Sequence, residues 1–336
     1  MPFHTKPDET AISDPIKIYV GTDRSQSLAL NVLEYSIRRH TNRAVELRSL
    51  EGIELPEPRD IRQGQRTGFS FARWAIPELT GYSGKAIYLD ADMQVFRDIA
   101  ELWDVPMNGA KIAVLEADRE AGDNVHYNKN ETSVMVLDCA RCDWKLKDLV
   151  KGLDEGAYDY RGLMMDLRFL EEPEIARTIP AEWNRLQHFT PATGLLHYTM
   201  MPIQPWVSAR NPLGHIWINE VRRMIEDGSL TREAVQREVD LGYFRPSLMV
   251  EIDEGPNEDQ DKERIEALEA LDRSTGYIPH RSVQEFDRKR RDAIHAYERR
   301  NAREQGLAPY AAFLARDAAS TGLDLARRVK RRLTAS

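Results

Sequence analysis

The sequence is poor in cysteine: Cys139 and Cys142 are its only two. That excludes a disulfide framework as the source of its stability. The two form a single C-x-x-C, with no second cysteine pair and no histidine pair at finger-like spacing to complete a zinc site, so reduced structural thiols are expected. Long apolar runs are lacking too. None approaches the ~20 residues that a membrane-spanning helix needs. The opening MPFHTKPDETAISDP holds no signal-peptide core and reads as a loose leader over residues 1–14, so the expected compartment is the cytoplasm. Overall positive charge is missing: the net charge is -8, which gives no nucleic-acid footprint. No G-x-G-x-x-G occurs, so a dinucleotide fingerprint is absent, and there is no internal repeat.

What is present is enough apolar material for a core, 41% of 336 residues. That length suits one large α/β domain with an appendage, or two modest domains. The focal stretch is KAIYLDADMQVF, Lys85 to Phe96. Its run Ala86-Ile87-Tyr88-Leu89 reads as a strand buried on both faces of a parallel sheet. Asp90 and Asp92 follow at once. Two carboxylates at i and i+2 repel, and burying either unpaired is costly. A divalent cation resolves the conflict, and hard oxygen ligands at the carboxyl end of a sheet strand suit Mg²⁺ or Mn²⁺. Taken alone, a D-x-D is as readily a turn with a solvated second aspartate.

The chain opens as a βαβ unit: a strand IKIYVG over Ile16 to Gly21, a helix over Ser27 to His40 and a strand over Ala44 to Leu50. Asp23 ends the first strand, placed either to accept hydrogen bonds from a base or ribose or to cap a turn. Residues 51–68 are loop-like. FSFARWAIPEL, Phe69 to Leu79, reads as a helix with Pro77 near its end. Its Arg73 is either a surface cation or a bidentate phosphate ligand. Lys111 to Leu115 and Ser133 to Leu137 are further strands, joined by a long polar loop with His126, Tyr127 and Glu131. Trp144 to Leu153 reads as a helix. Leu163 to Leu170 reads as a short apolar helix carrying Asp166, either an active-site carboxylate or half of an Asp–Arg surface pair. In GLLHYTMMPIQPW, Gly194 to Trp206, His197 is either a satisfied core histidine or the third ligand of a metal held by two carboxylates.

Beyond residue 250 the composition changes. Glu251 to Asp272 holds ten Asp or Glu against Lys262 and Arg264. From Asp287 onward, thirteen Lys or Arg face six Asp or Glu. Tyr310 to Leu314 and Leu323 to Leu333 fit basic amphipathic helices, which suit peripheral contact with the anionic inner face of a membrane; a solvated or partner-binding arm is the alternative.

With these residues in place, the region from Ile16 to Trp206 resembles glycosyltransferase family 8. IYVGTD is similar to that family's first strand and nucleotide-binding turn. FSFARWAIPEL with KAIYLDADMQVFRDIAELW is similar to its arginine helix and D-x-D strand. ETSVMVLD and LLHYTMMPIQPW resemble its next strand and its His-Tyr…Pro-Trp metal block, and AEWN at Ala181 to Asn184 resembles a Trp-Asn upstream of that block. The resemblance implies an α/β, GT-A type (Rossmann-like) mixed sheet flanked by helices over 15–250, with a charged, mainly helical C-terminal extension over 251–336. It implies an enzyme moving a hexose-type sugar from a nucleotide-sugar donor, a UDP-sugar by expectation, to a glycan or glycolipid acceptor with retention. It implies Mn²⁺ (or Mg²⁺) on Asp90, Asp92 and His197, and a donor lined by Gly21, Thr22, Asp23, Arg73, Ala91 and Gln204. Asp166 and Glu131 are the candidate carboxylates for the sugar face. Three departures stand out. Glu131-Thr132-Ser133 replaces the family's Asn-Ala/Ser-Gly. No Asp-Gln-Asp is legible. The metal block has Met200 for a glycine and Gln204 for a lysine, in a segment one residue longer. The rival readings are a nucleotide-sugar-binding protein without turnover and a haloacid-dehalogenase-like phosphatase, which also places Asp-x-Asp after an apolar strand.

Overall fold

The computed structural model describes residues 14–116 and 130–319. Among the described residues nine strands are formed: β1 (Ile16–Gly21), β2 (Val45–Ser49), β3 (Lys85–Asp90), β4 (Met93–Val95), β5 (Ile112–Glu116), β6 (Asn130–Asp138), β7 (Ile175–Ala176), β8 (Arg185–Leu186) and β9 (Leu195–His197). Six build a mixed sheet in the order β2-β1-β3-β6-β5-β7, and three build a small sheet, β4-β9-β8. The architecture is an α/β mixed sheet flanked by helices, as expected.

The alternation of β3 explains its place. Ile87 and Leu89 enter one apolar cluster, Ala86 and Tyr88 the other, so both faces of the strand are covered. The expectation of a parallel sheet holds only on one side of it. β3 runs parallel to β1 but antiparallel to β6, so the sheet changes direction beside the D-x-D. The helix Ser27–His40 forms as expected and buries Leu28, Val32, Leu33 and Ile37, while Arg38, Arg39 and His40 suit its negative C-terminal end.

Two expected helices differ. Over Phe69 to Leu79 the chain makes a 3₁₀ turn, Ala72–Ala75, and then a short α-turn, Ile76–Leu79. Pro77 opens that α-turn rather than ending it, because its missing N–H costs nothing in a first turn. The helix expected over Leu163 to Leu170 instead spans Tyr160–Met164, started by the Asp159 side chain accepting from the Gly162 N–H. Leu167 then adopts φ 54°, which no helix tolerates, so Asp166 lies in the turn after the helix.

The helices Gly214–Glu226, Arg232–Asp240 and Ser247–Glu254 pack with Trp206 and Leu28 in a third cluster. Residue 250 thus falls inside a core helix. Arg245, 1% exposed, donates to the Pro205 carbonyl at 2.9 Å and to Ser247 Oγ at 2.6 Å, and pairs with Glu251. Asp272, from the helix Lys262–Ser274, accepts from Ser247 N at 2.7 Å and Ser247 Oγ at 2.8 Å. Two members of the acidic stretch are therefore buried ties rather than solvated charge. A 24-residue helix, Arg281–Glu304, follows. Phe313, in the first of the two expected amphipathic segments, is buried against the His295 ring. The second, Leu323 to Leu333, lies outside the described residues, as do His126, Tyr127 and the leader through residue 13. No helix among the described residues is long and apolar enough to cross a membrane. Cys139 and Cys142 are free, buried in the core, and burial pushes both thiols up.

Candidate active site

The site lies where β1 and β3 end. A Cβ on Gly21 would stand 2.2 Å from Tyr88 Oη. The absence of a side chain there lets the tyrosine tip pass and donate to Asp90 Oδ1 at 2.5 Å. Arg73 is buried rather than a surface cation. Its guanidinium donates to the Ser70 carbonyl (3.2 Å), the Thr132 carbonyl (2.6 Å) and Asp90 Oδ1 (3.4 Å), and lies over the Tyr88 ring at 4.4 Å. The tight local turn places Arg73 inward, and β6 receives it. Asp90 is thus fixed at one oxygen by two donors from the protein.

The chain then turns, and Asp92 meets His197 because β4 pairs antiparallel with β9, Met93 opposite His197. The His197 Nε2 stands 3.0 Å from Asp92 Oδ1, and its Nδ1 stands 3.0 Å from Asn184 Oδ1. Asn184 in turn donates to Ser133 Oγ at 3.1 Å. Gln204 donates to Asp92 Oδ2 at 2.9 Å and to the Tyr198 carbonyl at 2.8 Å, leaving its buried Oε1 without a partner. One ligand atom from each of Asp90, Asp92 and His197 lies within 4.8 Å of the others. Burial and the neighbouring Asp92 push the Asp90 carboxyl up, against the pull of Arg73. Burial works to lower His197, but Asp92, Asp90 and Glu131 outweigh it and hold the imidazole above its ordinary value.

This donor set fits a divalent cation. With Nδ1–H turned to Asn184, Nε2 presents a lone pair toward a carboxylate oxygen, and such a pair needs a proton or a cation between them.

A cavity of about 450 Å³ opens beside the cluster. Asp90, Asp92, Arg73, Gln204 and Asp23 line it. Asp23 also takes its capping alternative, accepting from Ser25 N at 2.8 Å and Ser25 Oγ at 2.5 Å. Gly21, Thr22 and Ala91 lie beneath the wall rather than in it: Thr22 and Ala91 are each 1% exposed. The Ala91 N–H already donates to the Gly21 carbonyl at 3.1 Å, so it is not free for a ribose. Glu131 stands near enough to His197 for their charges to interact, and burial raises its carboxyl. Asp166 is not in this group. It sits in a separate depression with Leu170 and Glu172, between Arg161 at 3.7 Å and Arg168 at 3.6 Å.

Several residues of the site escape a reading of the sequence. Tyr88 reads as a core residue, although a tyrosine two positions before Asp90 shares its face of the strand. Asn184 is visible only as part of AEWN. Arg66, Tyr243 and Phe286 line the cavity from three distant segments, and no local signal marks them.

An α/β fold with an acid–acid–histidine cluster at the carboxyl ends of its strands, beside a pocket for a small ligand, matches a known class. Residues 16–152 match glycosyl transferase family 8. Over this stretch the chain is glycosyltransferase family 8-like. It is similar to Protein CDI of Arabidopsis thaliana, 28% identical over 231 residues, 62% of this chain and 86% of that protein. Among solved structures it is similar to the bifunctional WbbM, with a TM-score of 0.45, 16% identity and coverage of 62% of this chain and 50% of that one. It is similar to GlyE of Streptococcus pneumoniae TIGR4, with a TM-score of 0.47, 16% identity and coverage of 61% and 60%. For the galactosyltransferase LgtC, solved in complex with donor and acceptor sugar analogs, the TM-score is 0.44 at 15% identity, covering 64% and 96%. The chain thus spans only half to three fifths of WbbM and GlyE.

Proposed function

We propose that this protein is a divalent-metal-dependent, retaining glycosyltransferase that moves a hexose-type sugar from a UDP-type donor to a glycan or glycolipid acceptor. The observation that carries the reading is the His197–Asp92–Asp90 cluster opening into the cavity, with Arg73 fixed at its edge. A bound Mn²⁺ or Mg²⁺ would supply Lewis-acid stabilisation of the charge that develops on a leaving diphosphate. Asp90, Asp92 and His197 would hold it. Arg73, buried and oriented by two backbone carbonyls, is a fixed cation beside the same leaving group and needs no reorganisation during reaction. Gln204 keeps Asp92 in place where the family has a lysine, so the positive charge missing there must come from elsewhere. Arg66 lines the cavity with its guanidinium over the Tyr160 ring at 4.6 Å, which suits it to that task. Glu131 is the carboxylate we assign to the sugar face, where positive charge builds on the anomeric carbon. Retention is taken from the family resemblance, as are the acceptor class and the UDP-type donor.

The test is a panel of nucleotide sugars with Mn²⁺ or with EDTA, reading released nucleoside diphosphate. Metal-dependent release from one donor, lost in Asp92→Asn, supports the reading. Release of inorganic phosphate from simple esters, with no nucleotide needed, would replace it with the phosphatase alternative. Binding of a donor without any release, in the presence of acceptors, would favour the binding-only alternative.

A further inference from the structure

The helix Arg281–Glu304 lies far outside the family match, yet it reaches the cavity. Its half-buried positions Val283, Phe286, Asp287, Arg290, Ile294 and Tyr297 recur at three- and four-residue spacing, which makes one stripe facing the body of the protein. That stripe is held at both ends. At the start, His280 adopts a left-handed conformation, φ 50°, and its Nε2 stands 2.6 Å from the Met201 carbonyl, three residues before Gln204. Further along, Arg290 reaches the Arg62 carbonyl at 3.4 Å, and the Arg62 guanidinium lies over the Tyr297 ring at 5.5 Å. Between these anchors, Ser282, Val283 and Phe286 form part of the cavity wall.

The cavity is thus chemically two-sided. Asp90, Asp92 and Arg73 line one part of it together. The rest of the wall sets the rings and aliphatic groups of Phe69, Tyr243, Val283 and Phe286 among polar side chains such as Gln26 and Thr67. A ligand that fills both has an anionic end and a flat, weakly polar end, which describes a nucleoside diphosphate. We propose that the helix Arg281–Glu304 is a working wall of the donor site, with Phe286 and Val283 forming the apolar face against which the nucleobase packs. The inference rests on the donor reading above and assigns a substrate-contacting role to the C-terminal extension. Losing base–aromatic stacking weakens binding by about 5- to 150-fold per base on alanine substitution.

The experiment is calorimetric titration of UDP, and separately of Mn²⁺ alone, into the full chain and into its Phe286→Ala, Phe286→Tyr and Val283→Ala variants. Phe286 is only half buried, so these exchanges leave the core intact. The expected result is a drop of about 5- to 150-fold in UDP affinity for Phe286→Ala, a smaller drop for Val283→Ala and near-complete recovery in Phe286→Tyr, with Mn²⁺ affinity unchanged throughout. Amide exchange read by mass spectrometry supplies a test without substitution: UDP with Mn²⁺ should slow exchange in residues 281–290. Equal UDP affinity in wild type and Phe286→Ala, or unchanged exchange in that segment, overturns the role of the helix and leaves the donor reading standing. Failure of wild type to bind UDP or any other nucleoside diphosphate overturns the donor reading, and this role falls with it.

Discussion

The His197 Nε2 faces Asp92 Oδ1 at 3.0 Å while its Nδ1 is turned to Asn184 Oδ1 at the same distance. The asparagine thereby sets which ring nitrogen carries a proton and which presents a lone pair. Partners of this kind orient a ligand and typically alter metal affinity by about 10- to 100-fold. Asn184→Ala should accordingly weaken Mn²⁺ binding by about that factor in a calorimetric titration, with little change in the unfolding midpoint. Unchanged affinity would mean that the imidazole is positioned by packing alone.

The same cluster predicts a pH dependence. The Asp90 carboxyl is held above its ordinary range by burial and Asp92, and the His197 imidazole is held above its own by Asp92 and Asp90. Both groups therefore keep protons to higher pH than isolated side chains, and both must give them up to a metal. Mn²⁺ affinity should rise with pH until His197 has lost its proton, and binding should release protons, read as a heat that scales with the ionisation enthalpy of the buffer. An affinity that is flat from mildly acid to neutral pH would contradict this.

Gly21 supports the site by being absent as a side chain. With a Cβ 2.2 Å from Tyr88 Oη, Gly21→Ala forces the ring away from Asp90 and should cost about 1–3 kcal/mol in denaturant unfolding. Tyr88→Phe removes the clashing hydroxyl, so the double variant should recover most of that stability. If the double variant is no more stable than Gly21→Ala, the clash is elsewhere, and Phe69, 3.2 Å from the same Cβ, is the next candidate.

The two candidate carboxylates separate by position. Asp166 lies between Arg161 and Arg168 in another depression, whereas Glu131 is near enough to His197 for their charges to interact. Asp166→Asn should leave donor turnover within about twofold. Glu131→Gln should lower it by about a hundredfold, the scale on which electrostatic stabilisation of a transition state acts. Full turnover in Glu131→Gln would remove the carboxylate from the sugar face.

Much of the sheet was legible because buried strands declare themselves: IKIYVG and KAIYLD are apolar runs with no competing helical period. Strand direction was not legible, since the antiparallel pairing of β3 with β6 is decided by connections and not by composition. Asp90, Asp92 and His197 were nameable because ligand chemistry is carried by residue type and by order along the chain, and the structure brings the three together. Of the two readings of Asp166, the structure shows the Asp–Arg pair: the helix ends at Met164, and the carboxylate lies beyond it between Arg161 and Arg168, a placement that helical periodicity alone does not reveal. The place of Phe286 in the cavity wall was invisible because it depends on where a distant helix docks, through contacts such as His280 with the Met201 carbonyl and Arg290 with the Arg62 carbonyl.

The central claim is that Asp90, Asp92 and His197 hold a divalent cation through which a nucleoside diphosphate binds. Its most direct test is calorimetric titration of UDP into wild type and Asp92→Asn, each with Mn²⁺ and with EDTA. Binding by wild type with Mn²⁺ is expected, with a loss of at least about tenfold in EDTA and the same weak binding by Asp92→Asn under both conditions. Equal binding by wild type with and without metal, or by wild type and Asp92→Asn in Mn²⁺, would contradict it.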